Sequence, residues 1–250
     1  GKEGLVPALQ WGNMTLITIQ SGGGKTTIAG QIAEENVQQQ RCDALLIHLE
    51  NNRSEVLKRS WARNVQIPYG KSSSVSFNLD EEKYLRQYQT YRNMFQNSDY
   101  NLHLCCGGEC DINHVINQIT LCRQAAQKRN NGLLVVIDYF HRLEMEGATA
   151  QDDHVNGGKI ARELKKAVDN ENQISPMHLI LMAQETRKNK DPMPYNCSAA
   201  IHHAQIYISV TRDKQTNPKD MLIGEPNKCL DAEGMQRYYH RSTDTLYSQA

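Results

Sequence analysis

Short runs of consecutive apolar, often β-branched residues alternate along the chain with longer stretches whose apolar residues recur every three or four positions. That alternation predicts a parallel sheet whose strands are joined by crossover helices. The first strand is expected over Met14–Gln20, then a glycine turn at Ser21–Gly24 and a helix from Lys25 to Gln40, with Ile28, Ala29, Ile32 and Ala33 on one stripe. Ala44–Glu50 reads as the second strand, followed by a helix through Val56, Leu57 and Trp61. Ser72–Ser76 reads as a loop and Asp80–Gln96 as a polar helix with a Tyr and Leu stripe. Asn101–Cys105 is a third strand candidate, and Asp111 is placed to cap a helix running to Arg129.

Leu133–Asp138 (LLVVID) is the most apolar run and the best candidate for a central strand buried on both faces. Glu146–Gly158 is polar and contains glycine, which predicts a loop ahead of a basic helix over Ile160–Val168. His178–Gln184 (HLILMAQ) is another buried strand, and Arg187–Ala200, broken by Pro192 and Pro194, reads as an exposed loop. From Gln205 the runs shorten to Ile206–Thr211, Met221–Gly224 and Arg237–His240, which predicts added antiparallel strands at one sheet edge. The fold class is therefore α/β: one doubly wound, mostly parallel domain over residues 1–250, with its core at about 4–212 and its edge strands at about 205–250.

Composition narrows the function classes. The chain has 250 residues, and its 28 Lys+Arg balance 28 Asp+Glu, so a globally basic nucleic-acid coat is excluded and any such contact needs a local patch or an assembly. No apolar run approaches the roughly 18–20 residues of a membrane span. The 7 cysteines are an odd number, and the chain opens on Gly1 without a secretory signal, which suggests a reducing interior and a processed or excised piece. Cys105, Cys106 and Cys110 invite a metal reading, but the second half of a zinc spacing is missing and incidental thiols are the simpler reading. His202 and His203, side by side, would point to opposite faces of a strand and read as polar packing or DNA-loop residues and not as metal ligands. Lys159, Arg162, Lys165 and Lys166 form a basic helical face that reads first as solvated surface.

The chemistry concentrates at strand ends. Ile19–Thr27 (IQSGGGKTT) sits between a predicted strand and a predicted helix, the context in which Ser21, Gly22, Gly23 and Gly24 turn backbone N–H groups toward phosphates. Lys25 would reach the β- and γ-phosphates of ATP, Thr26 would place its hydroxyl on Mg²⁺, and Thr27 completes the loop. Ile19 stands where the strict pattern has its first glycine. Asp138, ending LLVVID, is placed to hold the same Mg²⁺. Glu50 is the general-base candidate, since parallel strands deliver their C-terminal ends to one rim, where Lys25, Glu50 and Asp138 would converge. His48, two residues earlier, reads as structural. Gln184, at the end of the next core strand, would sense the γ-phosphate and pass its state to the following loop.

Five stretches, GLVPALQWGNMTLITIQSGGGKTT, LLIHLENNRSEVLKR, GLLVVIDYFHRLE, IARELKKA and LILMAQETR, occur in an order that resembles the C-terminal motor domain of DnaB-type replicative helicases, of the hexameric RecA-like superfamily. The resemblance runs from Gly4 to Arg212. It implies a RecA-like P-loop NTPase that uses ATP and Mg²⁺, with Glu50 as the catalytic glutamate and Arg59 near the nucleotide. It makes Ile137-Asp138-Tyr139 the metal-holding signature, and Gln184 with Arg187 the sensor motif. It further implies single-stranded DNA as a partner, a homo-hexameric ring, a primase or a helicase loader, and a cytoplasmic location, or a host interior for a viral or plasmid protein.

Two regions depart from the family. The DNA-binding loop reduces to Asn196–Ala200, where Ser198 matches and Ala199 follows it. In the tail (GEPNKCLDAEG) Lys228 is the only cation where the family keeps a lysine and an arginine that reach into the neighbouring subunit, with Arg212 and Arg237 as substitutes. A RecA-like ATPase of another class, such as a recombination mediator or signalling ring, and a weakly hydrolysing ATP-binding ring subunit therefore stand as alternatives.

Overall fold

The computed structural model describes residues 10–64, 86, 89, 91–93, 99–107, 111–145, 153–169, 175–188, 191–194, 198–212, 221–228, 237–240 and 245–248. The predicted loop Ser72–Ser76 lies outside them, as does all of the predicted helix Asp80–Gln96 except residues 86, 89 and 91–93, which are helical.

Five of the sheet's parallel strands are β1 (Met14–Ile19), β2 (Asp43–His48), β3 (Leu102–Cys106), β4 (Leu133–Asp138) and β5 (Met177–Lys188), with β3 at one edge. Four helices follow four of these strands: α1 (Lys25–Gln38), α2 (Arg53–Asn64), α3 (Ile112–Lys128) and α4 (Asp153–Asp169). β6 (Asp191–Pro194), β7 (Ile206–Arg212), β8 (Met221–Lys228), β9 (Arg237–His240) and β10 (Thr245–Ser248) complete the strands. The strand order is β10-β9-β8-β7-β1-β5-β4-β2-β3, with β6 paired to β5 alone. From β7 through β3 every pairing is parallel. β8, β9 and β10 each run antiparallel to their neighbour.

Alternation along each central strand divides its side chains between two cores. Leu45, Ile47, Leu133, Val135, Ile137, Leu179 and Leu181 face α3 and α4, where Ile112, Val115, Ile119, Ile160, Leu164 and Val168 close over them. Ala44, Leu46, Leu134, Val136, Ile180 and Met182 face α1, meeting Ile28, Ala29, Ile32, Ala33 and Val37. Burial on both faces is why these strands read as continuous apolar runs. Ile180 is fully enclosed on the α1 side. Ile180→Ala is expected to lower unfolding free energy by about 2–5 kcal/mol, measurable by urea titration.

Several boundaries differ from the sequence expectation. Strand β2 closes at His48, so Glu50 lies two residues beyond it in an exposed bend. Helix α4 begins at Asp153, well inside the stretch expected to be loop, and it carries Gly157 and Gly158 within its length. Gly157 is buried. Glycine costs about 1 kcal/mol of helix propensity relative to alanine, so these two positions are helical against their intrinsic preference. Strand β5 runs past Gln184 to Lys188 and folds back through β6, so the predicted loop Arg187–Ala200 is partly a hairpin. Pro192 and Pro194 fit this strand because β6 pairs on one side only. The loop's end is a 3-10 helix, Ser198–His202, anchored by the fully buried Ala200. Ile206–Thr211, grouped by sequence with antiparallel edge strands, falls on β7, which pairs antiparallel with β8 on one side and parallel with β1 on the other, inside the sheet and not at its edge. Its apolar residues Ile206, Ile208 and Val210 join the α1-side core.

Asp111 caps α3 as expected, its carboxylate accepting from the N–H groups of Asn113 and His114 at 2.7 and 3.2 Å. Inside the core His178 sits 3.0 Å from the Thr15 hydroxyl, while its Nδ1–H donates to the Gln10 carbonyl at 2.8 Å. Burial holds His178, His103 and His203 below the ordinary histidine value of 6.5. In acid the unfolded chain therefore takes up more protons than the folded one, and stability falls as pH drops through and below 6.5. The melting temperature is expected to decrease steadily between pH 7.5 and pH 5.5; a flat profile would show that these rings bind protons equally in the folded and unfolded states.

Candidate functional site

Three parallel strands end on one rim, and the loops that follow them build the site. β1 ends at Ile19, and the chain turns through Gly23, whose N–H donates to the Gln20 carbonyl at 2.9 Å. A Cβ at Gly23 would lie 2.6 Å from Ile19 Cγ2 and 2.8 Å from the Gln20 carbonyl oxygen, so only glycine makes this turn. Gly24 opens α1 with a φ of +87°, a left-handed conformation, and the helix start receives no side-chain cap. The first turn of α1 also lacks an acidic residue. Its N–H groups are thus exposed to an incoming anion, at the positive end of the helix dipole.

Lys25 extends from that turn across Tyr139, with Nζ 3.7 Å from the ring centroid. Burial lowers its pKa from the ordinary 10.5, and the charges of Asp138 and Glu50 act in the opposite direction. Asp138 is 1% exposed. Its Oδ2 accepts from His48, and its Oδ1 has no partner among the described residues. A buried carboxylate oxygen left open beside a helix start and a lysine fits a hard divalent cation. Thr26, half-buried, has its hydroxyl 3.4 Å from the Asn51 side-chain amide, and Thr27 is buried below it.

Gln184 is the partner of Ile19 in the β1–β5 ladder, which places it beside the start of the glycine turn. The next residue, Glu185, is buried and accepts from the Ser209 hydroxyl at 2.9 Å, tying β5 to β7 at this level. Arg59 lies on α2 and donates to Glu55 one turn earlier at 2.8 Å. Ser21 is exposed at the turn. Arg187 belongs to the β5–β6 hairpin, and Ser198 and Ala199 open the 3-10 helix. Arg212, Lys228 and Arg237 fall on β7, β8 and β9, on the flank of β1 away from β4 and β2.

Sequence reasoning missed three neighbours of this cluster: His48 against Asp138, Tyr139 under Lys25, and Asn51 beside Thr26. The only advance signal was that β2 and β4 both close on a polar residue. Of the thiols, Cys106 ends β3 as the ladder partner of His48. Burial, with Cys105 adding to it, pushes Cys106 and Cys122 up to about 11, and burial pushes Cys42 up to about 12. These are protonated, inert thiols near neutral pH. Among the described residues no three His, Cys, Asp or Glu side chains gather as metal ligands. On the basic helix, Lys165 is engaged with the Gly12 carbonyl and Asp169, and Lys166 with Glu163.

A parallel sheet that delivers a glycine turn, a lysine and two carboxylates to one rim defines a P-loop ATPase of the RecA-like class. The family described as "DnaB-like helicase C terminal domain" matches residues 3–229, and this chain belongs to it. It is thus a DnaB-like helicase C-terminal domain, an ATP-hydrolysing domain. Two solved structures share the fold. The first, described as an ATPase domain, superimposes with a TM-score of 0.77 at 20% identity, over 96% of this chain and 86% of that one. The second, a DnaB-like replicative helicase described together with its interactions with primase, gives 0.77 at 20% identity over 97% of this chain and 58% of its own length. The chain therefore spans little more than half of that helicase. Compared by sequence with curated proteins, it finds no match. No helix among the described residues is long and apolar enough to cross a membrane.

Proposed function

We propose that this chain, residues 1–250 as one RecA-like domain, hydrolyses ATP to translocate on single-stranded DNA and unwind duplex DNA, as one subunit of a hexameric ring. The observation that carries the reading is the glycine turn and uncapped start of α1, with Lys25 Nζ 3.7 Å over the ring of Tyr139, the residue after the buried Asp138. Ser21, Gly22, Gly23, Gly24, Lys25, Thr26 and Thr27 cradle the phosphates, with Arg59 nearby. Thr26 and Asp138 would hold Mg²⁺, which when bound withdraws charge from the phosphate oxygens.

Glu50 takes a proton from water as its oxygen attacks the γ-phosphorus, and the β–γ bridging bond breaks with its electron pair going to the departing diphosphate. Lys25 neutralises charge on the transferring group, so the chain contributes positioning and electrostatics. Gln184 reads the γ-phosphate, and the hairpin that starts one residue later carries Arg187 toward DNA, with Ser198 and Ala199 as further contacts. Such contacts grip the backbone without sequence preference and weaken with salt. A lysine or arginine from the neighbouring subunit, of which Lys228, Arg212 and Arg237 are the candidates, completes the ATP site. Primase or a loader is the partner class, by analogy with the similar helicase whose interactions with primase are described. The motor works in the cytoplasm, or inside the host of a virus or plasmid.

The test is ATP-dependent separation of a forked duplex. Unwinding supports the motor. Binding of single-stranded DNA with ATP turnover but no strand separation would shift the assignment to a recombination mediator. Nucleotide binding that stabilises a ring without turnover would shift it to a structural subunit.

A further inference from the structure

β2 and β4 end side by side, and their last residues, His48 and Asp138, are direct partners in the ladder. His48 Nδ1 lies 2.9 Å from Asp138 Oδ2, with side-chain exposures of 0% and 2%. An ionised carboxylate only accepts, so Nδ1 carries the proton and donates. The backbone fixes both residues: Leu49 N–H donates to the Asp138 carbonyl at 2.8 Å, and Gly107 N–H to the His48 carbonyl at 3.0 Å. Two buried atoms are then left over, His48 Nε2 and Asp138 Oδ1, neither with a partner among the described residues.

We propose that His48 is a positioning residue for the metal-holding carboxylate. By engaging Oδ2 it stops rotation of the Asp138 carboxylate and presents Oδ1 alone to Mg²⁺. This rests on the reading of Asp138 as a metal ligand. A carboxylate with both oxygens free samples several orientations and switches between one- and two-oxygen ligation. Mg²⁺ demands near-octahedral geometry, so that freedom weakens binding. Hydrogen bonds behind a ligand commonly set metal affinity in this way. The role depends on a donor at the Nδ1 position and not on the ring as such. Asparagine places its amide nitrogen close to that point, whereas leucine fills the space without a donor.

The experiment titrates Mn²⁺, as a paramagnetic stand-in for Mg²⁺, into the chain saturated with ADP and follows free Mn²⁺ by electron paramagnetic resonance. Wild type, His48→Leu, His48→Asn and Asp138→Ala are compared, with metal-free ADP binding and thermal melting measured on each. His48→Leu is expected to weaken Mn²⁺ by about 10–100-fold and to leave metal-free ADP binding unchanged, while His48→Asn restores most of the affinity. Wild-type Mn²⁺ affinity in His48→Leu overturns the proposal, and so does an asparagine variant as weak as the leucine one. Where Asp138→Ala still loses Mn²⁺, those outcomes remove the role of His48 and leave the site reading standing. Retention of Mn²⁺ by Asp138→Ala removes both. If His48→Leu does not fold cooperatively, His48→Gln replaces it, since its amide reaches the Nε2 side. Weak Mn²⁺ binding there supports the proposal, and wild-type binding overturns it.

Discussion

Lys25→Ala lowers kcat for ATP hydrolysis by about 10²–10³-fold, the usual consequence of removing one preorganised charge from a transferring group. The structure explains why the loss is not made up by solvent. Lys25 is partly buried against the Tyr139 ring, and burial already lowers its pKa. A lysine in that position is costly to keep charged, and Asp138 and Glu50 offset part of the cost. Bound phosphates would offset the rest, so the cation is strongest when substrate is present. Alanine leaves the helix start and the glycine turn intact, so the fold is expected to survive. Steady-state hydrolysis and ATP binding, measured together, check the prediction: turnover and affinity both fall. Wild-type turnover in the variant would remove Lys25 from the site.

Glu50→Gln separates binding from chemistry. The amide matches the carboxylate in size but does not accept the proton, and loss of a general base costs about 10²–10⁴-fold in rate. Glu50 is exposed beyond the end of β2, so the substitution is expected to leave stability within about 0.5 kcal/mol. Nucleotide binding should persist while single-turnover hydrolysis stops. If the glutamine variant also loses nucleotide, Glu50 is holding Lys25 in place and the base lies elsewhere. DNA-stimulated turnover in the wild type supplies the reference.

The central strands were legible because burial on both faces writes itself as an unbroken apolar run. LLVVID is β4 residue for residue. The glycine turn was legible because backbone geometry near phosphates admits few side chains. Less legible were features decided by packing at a distance. His48 and Asp138 touch across 90 residues of chain, and nothing local to either one encodes the register that joins them. Gly157 and Gly158 signal a loop by propensity, yet both lie within α4, where Gly157 is buried. The parallel course of β7 was hidden because a short alternating strand reads the same in either direction, and only its partner β1 settles which applies.

Strand β5 is 12 residues long, roughly 40 Å at about 3.3 Å per residue, and it serves two ladders in succession. Its parallel pairing with β1 ends at Gln184, and its antiparallel pairing with β6 begins at Glu185, with no turn between them. The spacing from Gln184 to Arg187 is therefore set by an extended backbone. Inserting or deleting one residue between them would turn each later position to the opposite face and slip the hairpin register. This interval is closed to length variation, whatever substitutions it tolerates. Residues added beyond Lys188 would leave the spacing from Gln184 to Arg187 unchanged.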